Sequence, residues 1–262
     1  MTPDELLSAW HIQQTAFIEF REQRTRCMVD VLAELARQAG RPIRVLDLAC
    51  GPASLGTAVL ERLPDSFVTG VDRDPVLLRL GRETNRFADH LVLLDIDLRS
   101  PKWTSRLPEH GYDAVVSATA LHWLQPGELA GVYQQMSRIM GPGAVFMNAD
   151  HLFFDHAGNR FLDEFAHADR ERVRLARLAQ GAMSWDDWWR AALAMPGWEE
   201  ETALWSQRWA DKYPTVKVSL EFHLAALRAA GFDQTDQIYQ WFDDRVVFGR
   251  LPDDWPAGGA QP

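Results

Sequence analysis

Val45-Leu46-Asp47-Leu48-Ala49-Cys50-Gly51-Pro52-Ala53-Ser54-Leu55-Gly56 is an apolar run that passes directly into a loop of small residues and then into a helical pattern. A buried strand followed by such a loop belongs at the carboxyl edge of an open α/β sheet, where ligands bind. The residues count against two chemistries that use this loop. Gly51 and Gly56 have P-loop spacing, but Thr57 stands where the phosphate-binding lysine must be. A dinucleotide loop wants glycine in a GxGxxG pattern, and Ala49 and Ala53 are alanines.

Asp47, four residues before Gly51, opposes a pyrophosphate and favours a ligand bearing an ammonium and a sulfonium, as S-adenosylmethionine does. Gly51 lets the backbone approach the methionine portion of such a donor. Twenty-one residues past Gly51, Asp72 ends Gly70-Val71-Asp72 and is placed to accept hydrogen bonds from ribose hydroxyls. A nicotinamide dinucleotide carries the same ribose, so Asp72 supports nucleoside binding without selecting the chemistry. The plain alternative is a solvated turn acid.

Working outward, short apolar runs alternate with helical segments, the pattern of crossover units and a parallel sheet. Strands are expected at Ile43 to Leu48, Phe67 to Val71, Leu91 to Leu94, Ala114 to Ser117 and Ala144 to Asn148. Asp74-Pro75 starts a helix by capping, and Gly141-Pro142-Gly143 reads as a stop and tight turn before the fifth strand. Residues 4 to 39 read as a helical cap or helical pair, ended by Gly40 and Pro42. From about Asp150 to Tyr213 the strand rhythm gives way to a tryptophan-rich helical region. A helix from Leu220 to Ala230, stopped by Gly231, then leads to a hairpin of Gln237 to Phe242 and Arg245 to Gly249, turned at Asp243-Asp244. The expected organisation is a cap at 1–40, a donor-binding core at 41–150, a helical lid and acceptor pocket at 151–215, the closing helix and hairpin at 216–250, and a flexible tail at 251–262.

The 262 residues suit one large domain with insertions or two small ones, and 47% hydrophobic with 24% charged residues is ordinary globular usage. The net charge, 27 − 37 = −10, repels a phosphate backbone, so nucleic acid is a poor partner. Cys27 and Cys50 form no zinc spacing or disulfide framework. The N-terminus lacks the basic and apolar regions of a signal peptide, and no apolar stretch is long enough to span a bilayer. A cytoplasmic location is expected, and the oligomeric state is left open.

Four segments, VLDLACGPASLG, VTGVDRDP, LLDIDLRSPKW and YDAVVSATALHWL, together resemble the class I S-adenosylmethionine-dependent methyltransferase family over residues 41 to 150. The closing helix and hairpin are similar as well. The resemblance implies an α/β, Rossmann-like seven-stranded sheet with helices on both faces and an antiparallel last strand, with S-adenosylmethionine as cofactor. Carried onto this sequence, it assigns Asp47, Ala49 and Gly51 to the donor's methionine end and Asp72 with Arg73 to the ribose. It gives Asp97 with Leu98 to the adenine, Asp95 being the alternative, and Ser117 and Ala118 to the reacting end. The segment Leu121-His122-Trp123-Leu124 is similar to small-acid methyltransferases of the trans-aconitate type.

Methyl transfer from a sulfonium is an in-line displacement in which positioning supplies much of the acceleration. A base is needed only when the acceptor must lose a proton. His122, after the fourth strand, and His151, after the fifth, are the candidates; packed or capped histidines are the alternative reading. His151 with Asp155 and His156 makes no compelling metal ligand set, so no metal is expected. Trp185, Trp188 and Trp189 at helical spacing read as core before they read as acceptor contacts. Arg160, Arg170, Arg172, Arg174 and Arg177 interleave with Asp163, Glu164, Asp169 and Glu171 as a solvated helix face. The competing functions are a nicotinamide-dependent oxidoreductase and a donor-binding protein without turnover.

Overall fold

A computed structural model describes residues 1–154, 157–210 and 216–256. Seven strands form one sheet: β1 (Arg44–Leu48), β2 (Phe67–Asp72), β3 (Leu91–Asp95), β4 (Tyr112–Ala118), β5 (Met140–His151), β6 (Gln234–Trp241) and β7 (Asp244–Arg250). Their order is β3-β2-β1-β4-β5-β7-β6, with β1 to β5 parallel and β7 antiparallel to both neighbours. The direction of winding reverses between β1 and β4, so their carboxyl ends diverge and open a crevice there.

Alternation along the strands builds two cores. Leu46, Val71, Val115, Phe146 and Val247 face α5 (Pro126–Ser137) and α9 (Leu220–Ala229), meeting Leu129, Val132, Tyr133 and Leu227. Val45, Val68, Ala114, Met147 and Val246 face α2 (Arg21–Ala39) and α3 (Ser54–Arg62), meeting Met28, Val29, Leu32 and Val59. A third cluster roofs the carboxyl edge. Leu6 and Trp10 of α1 (Pro3–Gln14) pack with Val76, Leu77 and Leu80 of α4 (Pro75–Glu83), Trp188 and Ala192 of α7 (Trp185–Leu193), and Trp198 before α8 (Glu199–Arg208). The remaining helix of the insertion is α6 (Arg160–Ala179).

Several expectations shift. The N-terminal region is a helical pair, broken at residues 15–20. Gly141-Pro142-Gly143 lies within β5 as an irregularity: the register moves from Tyr112 opposite Met140 to Ala114 opposite Val145, which absorbs three extra residues there. The hairpin turns at Phe242-Asp243, with Phe242 left-handed at φ 49°, and Asp244 already pairs within the sheet. Asp74 caps α4 as expected, its Oδ1 accepting from the Val76 and Leu77 amides at 3.0 Å.

Candidate active site

The loop from β1 into α3 solves its geometry without the usual glycines. Ala49, Gly51 and Ala53 all adopt left-handed backbone, at φ 50°, 56° and 62°. Two alanines thus hold the conformation that glycine adopts freely, each strained by about 1–2 kcal/mol. The Cys50 amide donates to Val71 O at 3.0 Å and fixes the loop to the end of β2. Gly70 makes room for it: a Cβ there would lie 2.8 Å from Cys50 Sγ.

Two carboxyls converge behind this loop. Asp47, only 1% exposed, accepts from the Gly56 amide at 3.2 Å. Asp72 accepts from the Gly51 amide at 2.7 Å and the Asp74 amide at 2.8 Å. Burial pushes Asp47 up to about 8, the Gly56 hydrogen bond opposing and Asp72 adding to the rise. Burial likewise raises Asp72 to about 6 and Asp74 to about 7. Near neutral pH Asp47 of the ligand-free protein is therefore largely protonated, whereas the charge argument above treated it as a carboxylate; desolvation is the reason.

These shifts set a stability prediction. The three carboxyls hold protons in the native state that the unfolded chain has lost, so their contribution falls as pH rises through about 6 to 8. His11 and His223, held down to about 4 by burial, act oppositely, adding stability as pH rises until the unfolded histidine value of 6.5 is passed. The melting temperature of the ligand-free protein should thus fall between pH 6.5 and 8. A calorimetric scan showing it constant or rising would mean that these carboxyls ionise without penalty.

Asp47, Ala49, Gly51, Asp72, Arg73, Asp97, Leu98, Ala118, His122 and His151 all line one cavity of about 1390 Å³. Ser117 does not. Its hydroxyl is buried and donates to Leu48 O at 2.8 Å, so it ties β4 to β1 beneath the cavity floor. Of the two candidate adenine acids, Asp97 reaches the wall, held by Arg99 Nη2 at 2.8 Å, while Asp95 is taken up by both terminal nitrogens of Arg208 at 2.8 Å. Ser54 Oγ, at the first turn of α3, is buried on the cavity wall without a hydrogen-bond partner, and α3 has no side-chain cap. A ligand carboxylate suits that helix end, and the Asp47–Asp72 pair suits a cationic nucleoside.

Beyond Ala118 the chain turns at left-handed Thr119 into a short 3-10 turn carrying His122. His122 Nδ1 lies 2.8 Å from Asp150 Oδ1, and Asp150 also accepts from the His151 amide at 2.9 Å. Burial alone would raise the Asp150 carboxyl, but His122, His151 and Arg24 hold it down to about 2. An ionised Asp150 places the imidazole proton on Nδ1 and leaves Nε2 as the acceptor nitrogen. His151 is differently occupied, with Nε2 3.2 Å from Phe17 O and Nδ1 3.4 Å from Asp243 Oδ1. Both of its nitrogens serve as ties. Asp155 and His156 lie outside the described residues.

Sequence reading missed Asp150 and Arg24, which line this end of the cavity, and Asp243 and Asp244, which stand behind it as ion-pair partners. Arg24 of α2 donates to Asp244 Oδ1 at 2.5 Å and to Thr119 Oγ1 at 2.7 Å, and Arg170 of α6 pairs with Asp243. Arg170 thus leaves the solvated face, where Arg160, Arg172 and Arg174 remain with Glu164, Asp169 and Glu171. Trp188 is core, donating to Leu6 O at 3.1 Å, whereas Trp185, Trp189, Trp205 and Trp209 line the cavity.

The small-residue loop at the switch point of the seven-stranded sheet thus shares one cavity with the His122–Asp150 pair. Residues 45–143 match the family described as a methyltransferase domain. The chain is 29% identical over 174 residues to the trans-aconitate 2-methyltransferase of Streptomyces coelicolor, covering 65% of this chain and 54% of that protein. With the same enzyme of Rhodopseudomonas palustris (strain BisB18) it shares 29% over 177 residues, covering 66% and 62%. The matched part therefore spans less than two thirds of these relatives. Among solved structures, the methyltransferase SibL in its apo form superposes with a TM-score of 0.55 at 19% identity, covering 81% of this chain and 51% of that one. Magnesium protoporphyrin IX methyltransferase from Synechocystis PCC 6803 with bound SAH gives 0.53 at 13%, covering 91% and 86%. These likenesses speak to the fold.

Proposed function

We propose that the chain transfers the methyl group of S-adenosylmethionine to a small-molecule acceptor. The observation that carries this reading is the convergence of Asp47, Gly51, Asp72 and Asp97 on one wall of the cavity that His122 shares. Bound donor supplies an electrophilic methyl on a sulfonium leaving group. Asp47 and the amide end of α3 hold its amino-acid portion, Asp72 its ribose, and Asp97 with Leu98 its adenine. The roof of α1, α6, α7 and α8 acts as the lid that excludes water. His122, oriented by Asp150, takes the proton of a hydroxyl nucleophile or hydrogen-bonds the oxygen of a carboxylate one. His151 positions the Phe17 segment and moves no proton. The negative net charge supports a small acceptor over nucleic acid. The relatives' named acceptor, trans-aconitate, makes an organic acid the first class to test.

Calorimetric titration with S-adenosylmethionine, S-adenosylhomocysteine and NADH tests the donor. Both sulfur nucleosides should bind and NADH should not. S-adenosylmethionine binding should release protons at pH 7, because its cationic groups favour ionised Asp47, which alone titrates near 8. Binding of NADH with neither sulfur nucleoside would overturn the reading.

A further inference from the structure

Arg21, the first residue of α2, lies on the cavity wall, yet no carboxylate of the described residues stands within ion-pair distance of it. Its Nη1 is 3.1 Å from His11 Nδ1. Burial, then Arg21 itself, holds His11 down to about 4, so the imidazole is neutral and accepts from the guanidinium. Burial and the neighbouring charge of Arg24 in turn press Arg21 down to about 10 against the opposing effect of Glu22. A half-buried cation in this state lacks the anion that would relieve its desolvation.

Apart from Arg26, whose side chain is exposed, the other arginines of the cavity are already matched. Arg24 has Asp244, Arg170 has Asp243, Arg99 has Asp97 and Arg208 has Asp95. Lys217, the other cation of this end without a carboxylate, sits at the rim with Nζ 5.5 Å from the Phe153 ring centre. The surface beside Arg21 is aromatic. Trp10 follows on from the His11 contact, Trp185 stands 6.1 Å from Trp10 and 6.2 Å from Phe17 between ring centres, and all three rings line the cavity. A compact polycarboxylate would bring several charges to one half-buried cation and a wall of rings, with Lys217 and Arg26 exposed to solvent, leaving charges desolvated and unmatched.

We infer that the acceptor is an organic acid with one carboxylate and an extended apolar or aromatic body, the carboxylate docking on Arg21 and the body on Trp10, Phe17 and Trp185. This assignment rests on the methyl-transfer reading for the acceptor's place beside the donor. It differs from the relatives' named substrate in making apolar area, and not a multiplicity of charge, the source of affinity. Arg21 is the residue that distinguishes an acid from its neutral isostere, since truncating a charge-assisted contact weakens binding about tenfold or more.

Titration of the full-length chain with phenylbutyrate, its neutral amide and trans-aconitate, read by calorimetry, tests the assignment without requiring turnover. Phenylbutyrate should bind about tenfold tighter than either of the others. Arg21→Gln should abolish the preference for acid over amide while leaving S-adenosylmethionine affinity unchanged, and Arg21→Lys should retain part of it. Trans-aconitate binding more tightly than phenylbutyrate, or the amide matching the acid in the wild-type protein, overturns the assignment. S-adenosylmethionine titrated in parallel separates the two readings. Donor binding with no preference for the apolar acid sinks this inference alone, and an acid preference without donor binding sinks methyl transfer alone.

Discussion

Asp150→Asn lowers kcat by about a hundred- to ten-thousandfold with an acceptor whose nucleophile must lose a proton. The reasoning begins at Asp150, 1% exposed and held ionised by His122, His151 and Arg24 around it. Its carboxylate accepts from Nδ1 of His122 at 2.8 Å and so selects the tautomer whose Nε2 is basic. An asparagine of the same shape can present its amide nitrogen to Nδ1 instead, placing the proton on Nε2 and removing the base. His122→Ala should fall to the same level, and the double variant no further, because the two act as one unit. Steady-state kinetics showing less than about a threefold fall in kcat, with donor affinity retained, would remove proton transfer from His122 and leave it an acceptor contact.

Asp72→Ala weakens S-adenosylmethionine and S-adenosylhomocysteine alike by about ten- to more than a hundredfold, the loss expected when a buried charge-assisted partner of the ribose is removed. Asp72 also receives the Gly51 and Asp74 amides at 2.7 and 2.8 Å, so alanine loosens the loop as well as deleting the contact. Asp72→Asn separates the two effects. It retains an acceptor oxygen for one amide, and because burial already raises the Asp72 carboxyl to about 6, a neutral side chain there should not lower the melting temperature at pH 7.5. Calorimetry should therefore find the asparagine variant folded and still impaired in donor binding. Undiminished affinity in both variants would detach Asp72 from the nucleoside and leave it a loop brace.

The loop side of the cavity was legible because its signals are local. An apolar strand, a run of small residues and a helix follow one another within Val45 to Gly56, whereas the seven-stranded sheet with its antiparallel last strand was implied by the family resemblance. The left-handed conformations of Ala49 and Ala53 were not legible, since alanine carries no such preference and the tether from Cys50 to Val71 imposes it. Ser117 was misplaced because strand-end position alone does not tell which face a hydroxyl takes; here Leu48 O claims it. The acceptor half hid for a different reason. Arg24 meets Asp244 across 220 positions of sequence, His122 meets Asp150 across 28, and no periodicity encodes such pairings. The aromatic residues divided likewise: Trp188 and Trp185 share one helix, and only the roof's packing decides that the first is core and the second faces the cavity.

The three insertion helices leave the sheet after β5 and rejoin it at α9, and the family match at 45–143 ends before they begin. Strand register, the loop at Gly51 and the acids at Asp47 and Asp72 are held by contacts within the core, whereas Arg208 and Trp209 of the insertion reach back to Asp95 and Asp74 and brace that wall from above. A graft of the insertion helices from another protein would accordingly have to keep Arg208 and Trp209, the two keystones through which roof and sheet edge share load.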